Sequence, residues 1–363
     1  MENRMNDRRP LFSIVMPAYG VERYIADAIA CVQAQTIGDW ELIVVDDASP
    51  DGSARIAEEH ARADERIRVV HHEANRGASE ARNTGIDAAS GLYLWMPDPD
   101  DAYDPRLLEM CARALAENPA SVTVFGVKEL QVDAEGGIER VNEVVPDALA
   151  CATADELRPH LFPLERQTLL GYSANKIYDL DFLRSTGVRW ESAPLIEDFF
   201  FNIRVFECAT SLNAVAEAPY TYLRRPAGSL THAFVADYYP LHRRRIAEMR
   251  DALASWGLLD EQVKSQLGAL YARYILSAAE RTFDSRSGMN ANDRALWMRS
   301  VFVDELFCDL VLGAEADTAL LKACLVPLKA RNVEAVLGLG RAIHLVRGSS
   351  DKFYGLAKQG AKR

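Results

Sequence analysis

Five short apolar runs rich in β-branched residues recur along the first 130 residues, and segments with helical spacing of apolar positions separate them. Runs of this length and composition predict β-strands. The predicted strands are Phe12 to Met16, Glu41 to Val45, Arg66 to Val70, Leu92 to Met96 and Val122 to Val127. The alternation predicts an α/β fold with a mostly parallel sheet covered by helices on both faces.

The second half of the chain has a different pattern, because apolar positions repeat with helical spacing almost throughout after Thr231. The predicted helices are Tyr238 to Trp256, Glu261 to Arg281, Asp293 to Leu312 and Thr318 to Lys329. The pattern divides the chain into an α/β domain at 10–231, a helical region at 232–330 and a basic tail at 331–363.

Polar residues follow four of the predicted strands at the points where the strands end. They are Pro17-Ala18-Tyr19, Asp46-Asp47, His71-His72 and Asp98-Pro99-Asp100-Asp101. The carboxyl ends of parallel strands meet at one edge of a sheet, and open α/β sheets bind their ligands there. The sequence therefore predicts a ligand site built from these four segments.

The segment Asp98-Pro99-Asp100-Asp101 places three carboxylates within four residues. Carboxylates this close repel one another, and a hard divalent cation that also binds phosphate oxygens would compensate their charge. This favours a nucleotide-diphosphate substrate. An Asp-rich turn that caps a helix beginning near Asp104-Pro105 is the alternative explanation.

Composition places the chain among soluble globular proteins, with 49% hydrophobic and 26% charged residues. The net charge of −12 argues against nucleic acid as a partner. The N-terminal residues lack the apolar segment of a signal peptide, and the six cysteines are too dispersed for a zinc site, so we expect reduced thiols and a cytoplasmic location. No dinucleotide-binding glycine motif follows the first strand, and no P-loop motif occurs.

The C-terminal segment is basic, unlike the rest of the chain. The segment from Lys322 to Arg363 contains nine Lys and Arg residues and only two acidic residues, Glu334 and Asp351. Four apolar residues fall near one helical face: Val333, Val336, Leu337 and Ile343. Two interpretations stay open, namely a peripheral helix on an anionic membrane surface at the inner face of the membrane, and a solvated helix followed by a frayed terminus.

The polar segments together resemble the family 2 glycosyltransferases, which have the GT-A fold. The resemblance rests on Ser13 to Tyr19, Val44 to Ser53, Asn75-Arg76-Gly77 with Ala81 to Gly85, and Asp98 to Asp101, and it covers roughly the first 130 residues. A later segment, Ile196-Glu197-Asp198-Phe199-Phe200, is similar to the acidic segment that carries the catalytic base in that family.

The resemblance implies inverting transfer of a sugar from a nucleotide-diphosphate donor to a hydroxyl of a saccharide or lipid-linked acceptor, of the hexosyltransferase type, with Mg²⁺ or Mn²⁺ on the diphosphate. Asp101 matches the final Asp of the metal-binding motif and is the first choice as direct ligand, with Asp100 beside it. The donor-binding residues implied are Pro17, Tyr19, Asp46, Asp47, Arg82, Asp98 and Asp100. Surface polysaccharide or glycolipid synthesis is the implied setting.

Asp198 is the implied general base, since inversion needs one carboxylate to take the proton of the acceptor hydroxyl. Glu197 beside it is expected to hold the acceptor or to raise the pKa of its neighbour. A purely structural role for this pair is that of two charges favoured by a helix N-terminus. The corresponding structural roles are a turn or cap for Asp47, a solvated helix charge for Arg82 and a core aromatic for Tyr19.

Two functions besides transfer fit the sequence less well. A sugar nucleotidyltransferase would show a Gly-rich loop with a basic residue after the first strand, and this sequence has none there. A non-catalytic nucleotide-sugar-binding partner would have lost the metal-binding or base carboxylates, and both are present.

Overall fold

The computed structural model describes residues 9–133, 137–225 and 234–349. The chain divides into two compact units, with the boundary after residue 231. The N-terminal unit contains the sheet, and the described part of the C-terminal unit is helical. Both units have buried apolar cores.

The described N-terminal unit is built on one sheet of ten strands. In chain order they are β1 (Phe12–Ala18), β2 (Trp40–Asp46), β3 (Ile67–His71), β4 (Tyr93–Trp95), β5 (Ala102–Tyr103), β6 (Val122–Val132), β7 (Ile138–Val144), β8 (Leu149–Cys151), β9 (Lys176–Asp179) and β10 (Leu212–Arg224). The five strands predicted from the apolar pattern correspond to β1, β2, β3, β4 and β6. The predicted α/β fold is confirmed.

The sheet order is β3-β2-β1-β4-β9-β6-β10-β5, with β7 beside β6 and β8 beside β10. β1 pairs in parallel with β2 and β4, and β2 pairs in parallel with β3. β9 runs antiparallel between β4 and β6, and β6 is parallel to β10. Six of the ten strands therefore run in one direction, while β5, β7, β8 and β9 make the sheet mixed.

Helices connect and cover these strands. They are α1 (Ile25–Gln33), α2 (Ser53–Ala63), α3 (Ala78–Ala88), α4 (Leu107–Glu117), α5 (Ala154–Leu157), α6 (Leu161–Arg166), α7 (Leu180–Thr186) and α8 (Glu197–Cys208). Every residue of β1 is buried, so both of its faces are covered. α3 approaches β1 closely at Gly85, where a Cβ atom would meet Cγ1 of Val15 at 2.1 Å.

The described C-terminal unit consists of α9 (Tyr238–Ser255), α10 (Glu261–Arg281), α11 (Ala291–Val303), α12 (Glu305–Leu310), α13 (Ala319–Lys329) and α14 (Val333–Ser349). The prediction of one helix from Asp293 to Leu312 is wrong, because Asp304 has an extended backbone and separates α11 from α12. The side chain of Asp304 accepts hydrogen bonds from the N–H groups of Leu306 and Phe307, so it caps α12.

The first part of the predicted tail is α14, and residues 350–363 lie outside the described residues. Val336 is fully buried, and a Cβ at Gly340 would meet the carbonyl carbon of Ala279 in α10 at 2.9 Å. Nδ1 of His344 lies 2.9 Å from Oε1 of Glu280. α14 therefore packs against α10, and the expectation that Val336 faces solvent or a membrane is wrong. None of the described helices is long and apolar enough to span a bilayer.

Candidate active site

The four polar segments lie at the carboxyl edge of the parallel strands. Ala18, Asp46 and His71 are aligned across β1, β2 and β3, and Asp98 follows β4. The N–H of Asp47 donates to the carbonyl oxygen of Ala18 at 2.9 Å, which ties the first two segments together. The structure thus brings together segments that the sequence placed at one edge.

Asp47 is buried and organises the loop that enters α3. Its Oδ1 accepts a hydrogen bond from the N–H of Arg76 at 2.8 Å and lies 2.6 Å from Nδ1 of His72, while Oδ2 accepts from the N–H of Gly77 at 2.7 Å. Burial would raise the pKa of Asp47, but these hydrogen bonds hold it below its ordinary value. Asp47 therefore holds a loop that is distant in sequence, in addition to any contact with a nucleotide.

Asp46 and Tyr19 flank this loop. Oδ2 of Asp46 lies 3.2 Å from Nδ1 of His71, and Ala48, two residues on, has a left-handed backbone with φ of 58°. Pro17 is buried in β1, whereas Tyr19 is 50% exposed. That exposure argues against a core role for Tyr19 and leaves its ring accessible for stacking.

Arg82 is a buried residue of α3. Its Nη2 donates to Oδ1 of Asp98 at 2.7 Å, and its guanidinium lies 4.5 Å from the centre of the Trp190 ring. Burial would lower the pKa of Arg82, but the charges of Asp98, Asp198 and Glu197 raise it above its ordinary value. Nε and Nη1 are buried without a hydrogen-bond partner in the described residues. A solvated helix charge is excluded, and unused donors of this kind suit an oxygen-rich ligand.

The acidic loop after β4 carries three carboxylates, and its charge is compensated only in part by Arg82 and Arg225. The side chains of Asp98 and Asp100 are 37% and 47% exposed, whereas Asp101 is buried. Burial and the charge of Asp98 raise the pKa of Asp100, and burial with both neighbouring carboxylates raises that of Asp101 well above its usual range. A divalent cation would relieve this repulsion.

The side chain of Asp101 is hydrogen-bonded to strand β10. Its Oδ2 accepts from the hydroxyl of Tyr220 at 2.5 Å, and its Oδ1 accepts from the N–H of Leu223 at 3.0 Å. Nη1 of Arg225 donates to the carbonyl oxygen of Asp100 at 2.7 Å and lies 3.8 Å from its Oδ2. Each oxygen of Asp101 thus already accepts one hydrogen bond, and the side chain of Asp100 is the more exposed of the two.

The acidic loop meets the needs of a divalent metal only in part. Within the described ranges, no three His, Cys, Asp or Glu side chains form a ready-made metal cluster. A cation that binds together with a nucleotide needs only one or two protein carboxylates, because phosphate oxygens and water complete its coordination. Asp98 and Asp100 offer hard oxygen ligands on partly exposed side chains, so the loop fits Mg²⁺ or Mn²⁺ in that mode.

Glu197 and Asp198 begin α8, directly after Ile196, whose φ of 58° is unusual for a β-branched residue. The hydroxyl of Ser173 donates to Oδ1 of Asp198, and Oδ2 has no hydrogen-bond donor among the described residues. Burial raises the pKa of Asp198 against the opposing charge of Arg82, and burial with the charge of Asp198 raises the pKa of Glu197 to about 6. A carboxylate in such surroundings is suited to accept a proton near neutral pH.

Several residues around the acidic loop and around the Glu197–Asp198 pair were not predicted from the sequence. They are Ser173, Lys176, Trp190 and Asn202. Lys176 had a local signal, since a lysine stands in the apolar run of β9. Ser173 had none, because its hydroxyl meets a carboxylate 25 residues away that only the fold brings near.

Comparison with known proteins agrees with this geometry. Residues 13–137 match the model of glycosyl transferase family 2. The chain is 32% identical over 225 residues to the uncharacterized glycosyltransferase EpsJ of Bacillus subtilis, covering 61% of this chain and 63% of EpsJ. It is 35% identical over 129 residues to TuaG of the same organism, a putative teichuronic acid biosynthesis glycosyltransferase, covering 36% of this chain and 51% of TuaG. The chain thus spans less than two thirds of these relatives.

The fold has solved counterparts. Residues 1–349 of Staphylococcus aureus TarS, in a crystal structure with UDP-GlcNAc, superpose with a TM-score of 0.59 at 20% identity, covering 92% of this chain and 91% of that one. The same TarS fragment with UDP gives a TM-score of 0.57. This likeness confirms the predicted GT-A fold.

Proposed function

We propose that this protein is an inverting glycosyltransferase that moves a sugar from a nucleotide-diphosphate sugar to an acceptor hydroxyl. The observation that carries the proposal is the buried Arg82, which binds Asp98 and lies near the charges of Glu197 and Asp198. Its Nε and Nη1 lack hydrogen-bond partners in the described residues. This arrangement joins the donor edge of the sheet to the proposed base. The family match of residues 13–137 supports the same reaction.

In the proposed reaction, Asp198 takes the proton of the acceptor hydroxyl as that oxygen attacks the anomeric carbon. The new bond joins the acceptor oxygen to the sugar, and the bond from the sugar to the diphosphate breaks with its electron pair on the diphosphate. Oδ2 of Asp198 has no donor in the described structure, so it is the oxygen that receives the proton. Attack opposite the leaving group inverts the anomeric configuration.

The donor would lie along the carboxyl edge of β1 to β4. Tyr19 offers an exposed ring for the base, and the unused N–H groups of Arg82 offer hydrogen bonds to donor oxygens. Asp100 with Asp98 would hold Mg²⁺ or Mn²⁺, while Asp101 fixes the loop to β10. When bound, the cation supplies Lewis-acid neutralisation of the charge on the diphosphate.

The substrates are proposed by class. TarS is known in complex with UDP-GlcNAc, and TuaG is named for teichuronic acid biosynthesis. A donor of the nucleoside-diphosphate hexose type and an acceptor hydroxyl on a bacterial surface saccharide or glycolipid agree with both relatives.

A weak association of the C-terminal unit with an anionic membrane surface belongs to the same proposal. Leu345 and Val346 of α14 are exposed, and Arg341 of the same helix is exposed as well. Co-sedimentation with phosphatidylglycerol vesicles at low salt is expected to retain the protein, and phosphatidylcholine vesicles serve as the control. Equal retention by both vesicle types, or by neither, would refute it.

The reaction is tested with pure protein, Mn²⁺ and a panel of UDP- and GDP-sugars, with simple saccharides as acceptors. One donor should release its nucleoside diphosphate faster than the others, and NMR of the product should show the anomeric configuration opposite to that of the donor. An Arg82→Met variant should lose donor affinity, whereas Arg55→Met, in the exposed part of α2, should not. Retained configuration in the product would contradict the inverting mechanism.

A further inference from the structure

A lysine with no assigned role is buried beside the proposed base. Lys176 begins β9 and has no exposed surface. Its Nζ donates to the carbonyl oxygens of Leu169 at 2.7 Å and Leu170 at 3.2 Å, to that of Tyr172, and to Oδ1 of Asn175 at 2.8 Å. One side chain therefore satisfies three backbone carbonyls of the irregular segment 168–175.

A second side chain holds the same segment from α8. Nδ2 of Asn202 donates to the carbonyl oxygens of Leu170 at 2.8 Å and Tyr172 at 3.1 Å, while its Oδ1 accepts from the hydroxyl of Tyr178 at 2.7 Å. Asn202 is fully buried and lies on the helix that begins with the acidic pair. The segment is thus fastened both to β9 and to the helix of the proposed base.

Ser173 lies within this segment. Its carbonyl oxygen accepts from the N–H of Lys176 at 3.0 Å, and its hydroxyl donates to Oδ1 of Asp198. Ser173 is 2% exposed, so water has little access to replace this donor. A buried hydroxyl with a fixed backbone has few other orientations, and the bond therefore constrains the Asp198 carboxylate.

Keeping a lysine at this position is costly, which argues that the ammonium is needed. Burial lowers the pKa of Lys176 to about 7, and the charges of Asp198 and Glu165 oppose that decrease. A neutral amine would have only two donors for the four acceptors around Nζ. The ammonium has three donors, so it serves one acceptor more than a neutral amine would, and it provides a cation near the proposed base.

We propose that Lys176, Asn202 and Ser173 form a positioning network, in which the two buried side chains hold segment 168–175 so that the Ser173 hydroxyl fixes Oδ1 of Asp198 and leaves Oδ2 for the acceptor proton. The inference rests on the proposed function, because it assigns these residues to the orientation of its base. Ser173 and Lys176 touch neither donor nor acceptor in this scheme, and they act only through Asp198.

The test is a set of variants assayed for donor KM, kcat and thermal unfolding. Ser173→Ala should lower kcat about tenfold, the scale of one lost hydrogen bond to a charged group, with the donor KM changed less than about twofold. Ser173→Thr retains the hydroxyl and should keep most of the rate. Ser185→Ala, which removes an exposed hydroxyl on α7, is the matched control and should behave as wild type.

The decisive comparison places Ser173→Ala in an Asp198→Asn background. If Ser173 acts through Asp198, the double variant should lose no further activity relative to Asp198→Asn alone. Lys176→Met should reproduce the kcat effect of Ser173→Ala, and the two losses should not multiply when combined. Should Lys176→Met not fold, the serine variants alone still decide the role of the hydroxyl.

Three outcomes would overturn the network. They are an unchanged kcat in Ser173→Ala, an equal further loss in the Asp198→Asn background, and a Ser173→Thr variant as impaired as Ser173→Ala while it melts like wild type. A wild-type protein that cleaves no donor under any condition would instead refute the proposed function, so the two failures are distinguishable.

Discussion

Among the residues of the candidate site, carboxylates outnumber the cationic side chains that could neutralise them, and this imbalance governs the chemistry of the site. Arg82 interacts with the charges of Asp98, Glu197 and Asp198, and its own burial makes each of these interactions stronger than it would be in water. The carboxylates nevertheless have raised pKa values at Glu197 and Asp198, because burial outweighs the favourable charge. Both roles that we propose for this site, proton transfer and cation binding, agree with these raised pKa values.

Replacing Asp198 with Asn should preserve donor binding and lower transfer by roughly a hundredfold or more, the usual scale for a lost general base. The reason is that the amide keeps the shape and the Ser173 contact but cannot take the proton. Calorimetry with donor and product detection on the same preparation measure the two effects. Glu207→Gln, at the other end of α8, is the control. A loss of donor affinity as large as the loss of transfer would make Asp198 a binding residue.

Transfer should decrease in acid because the base must be ionised. The pKa of Glu197 is raised to about 6, and that of its coupled neighbour Asp198 is also raised, so protonation of the pair begins well above the ordinary range for carboxylates. We expect kcat/KM to decrease as the pH falls, beginning above the ordinary carboxylate range and approaching about tenfold per pH unit once the pair is protonated. Glu197→Gln removes a like charge and should move this decrease to lower pH, and a shift to higher pH would contradict the coupling.

At the scale of elements, the close packing of α3 on β1 places Arg82 at the sheet edge. Gly85, three residues after Arg82, lies against Val15, and the loop before the helix is held by Asp47. A helix that is fixed at its start and packed against the sheet two turns later has little freedom to move. The position of the guanidinium thus depends on a glycine that contacts no ligand.

Gly85→Ala should destabilise the N-terminal unit by about 1–3 kcal/mol, the usual cost of overpacking, since the new methyl would meet Cγ1 of Val15 at 2.1 Å. Val15→Ala alone should also destabilise, by leaving a cavity. The double variant should be more stable than the sum of the two losses predicts, because the cavity accepts the methyl. Calorimetric melting measures all three, and strictly additive losses would refute the contact.

At the scale of the whole molecule, the charge is unevenly distributed. The chain carries a net charge of −12, although its C-terminal segment is basic. The N-terminal unit therefore has a large negative excess, and an anionic nucleotide approaches it against this field unless a cation accompanies it. Donor binding and metal binding should consequently be coupled.

Mn²⁺ with the nucleoside diphosphate of the preferred donor should raise the melting temperature, whereas the nucleotide in excess EDTA should not. At about a hundredfold excess over Kd, bound ligand adds about 2.7 kcal/mol to the stability of the unit that binds it. Asp100→Asn should abolish the metal-dependent part, and Asp104→Asn, outside the acidic cluster, is the matched control. Equal stabilisation in EDTA would indicate that a side-chain cation replaces the metal.

The apolar pattern alone predicts five strands of the described sheet, β1 to β4 and β6, as well as α10 from Glu261 to Arg281. It also determined that polar segments would gather at one edge, because parallel strands align their carboxyl ends whatever the details of packing. These features depend on the local spacing of apolar residues and on the rule that parallel strands align their carboxyl ends. Both can be recognised from short stretches of sequence.

The hydrogen bonds that each carboxylate accepts depend on contacts between residues that are distant in sequence. Asp101 meets Tyr220 across 119 residues, Asp47 holds the start of α3, and Ser173 reaches Asp198 from a loop fastened by Lys176. The tertiary structure also placed Val336 of the basic segment in a core. Local sequence carries no record of such pairings, because each hydrogen bond joins residues whose distance is set by the packing of the whole unit.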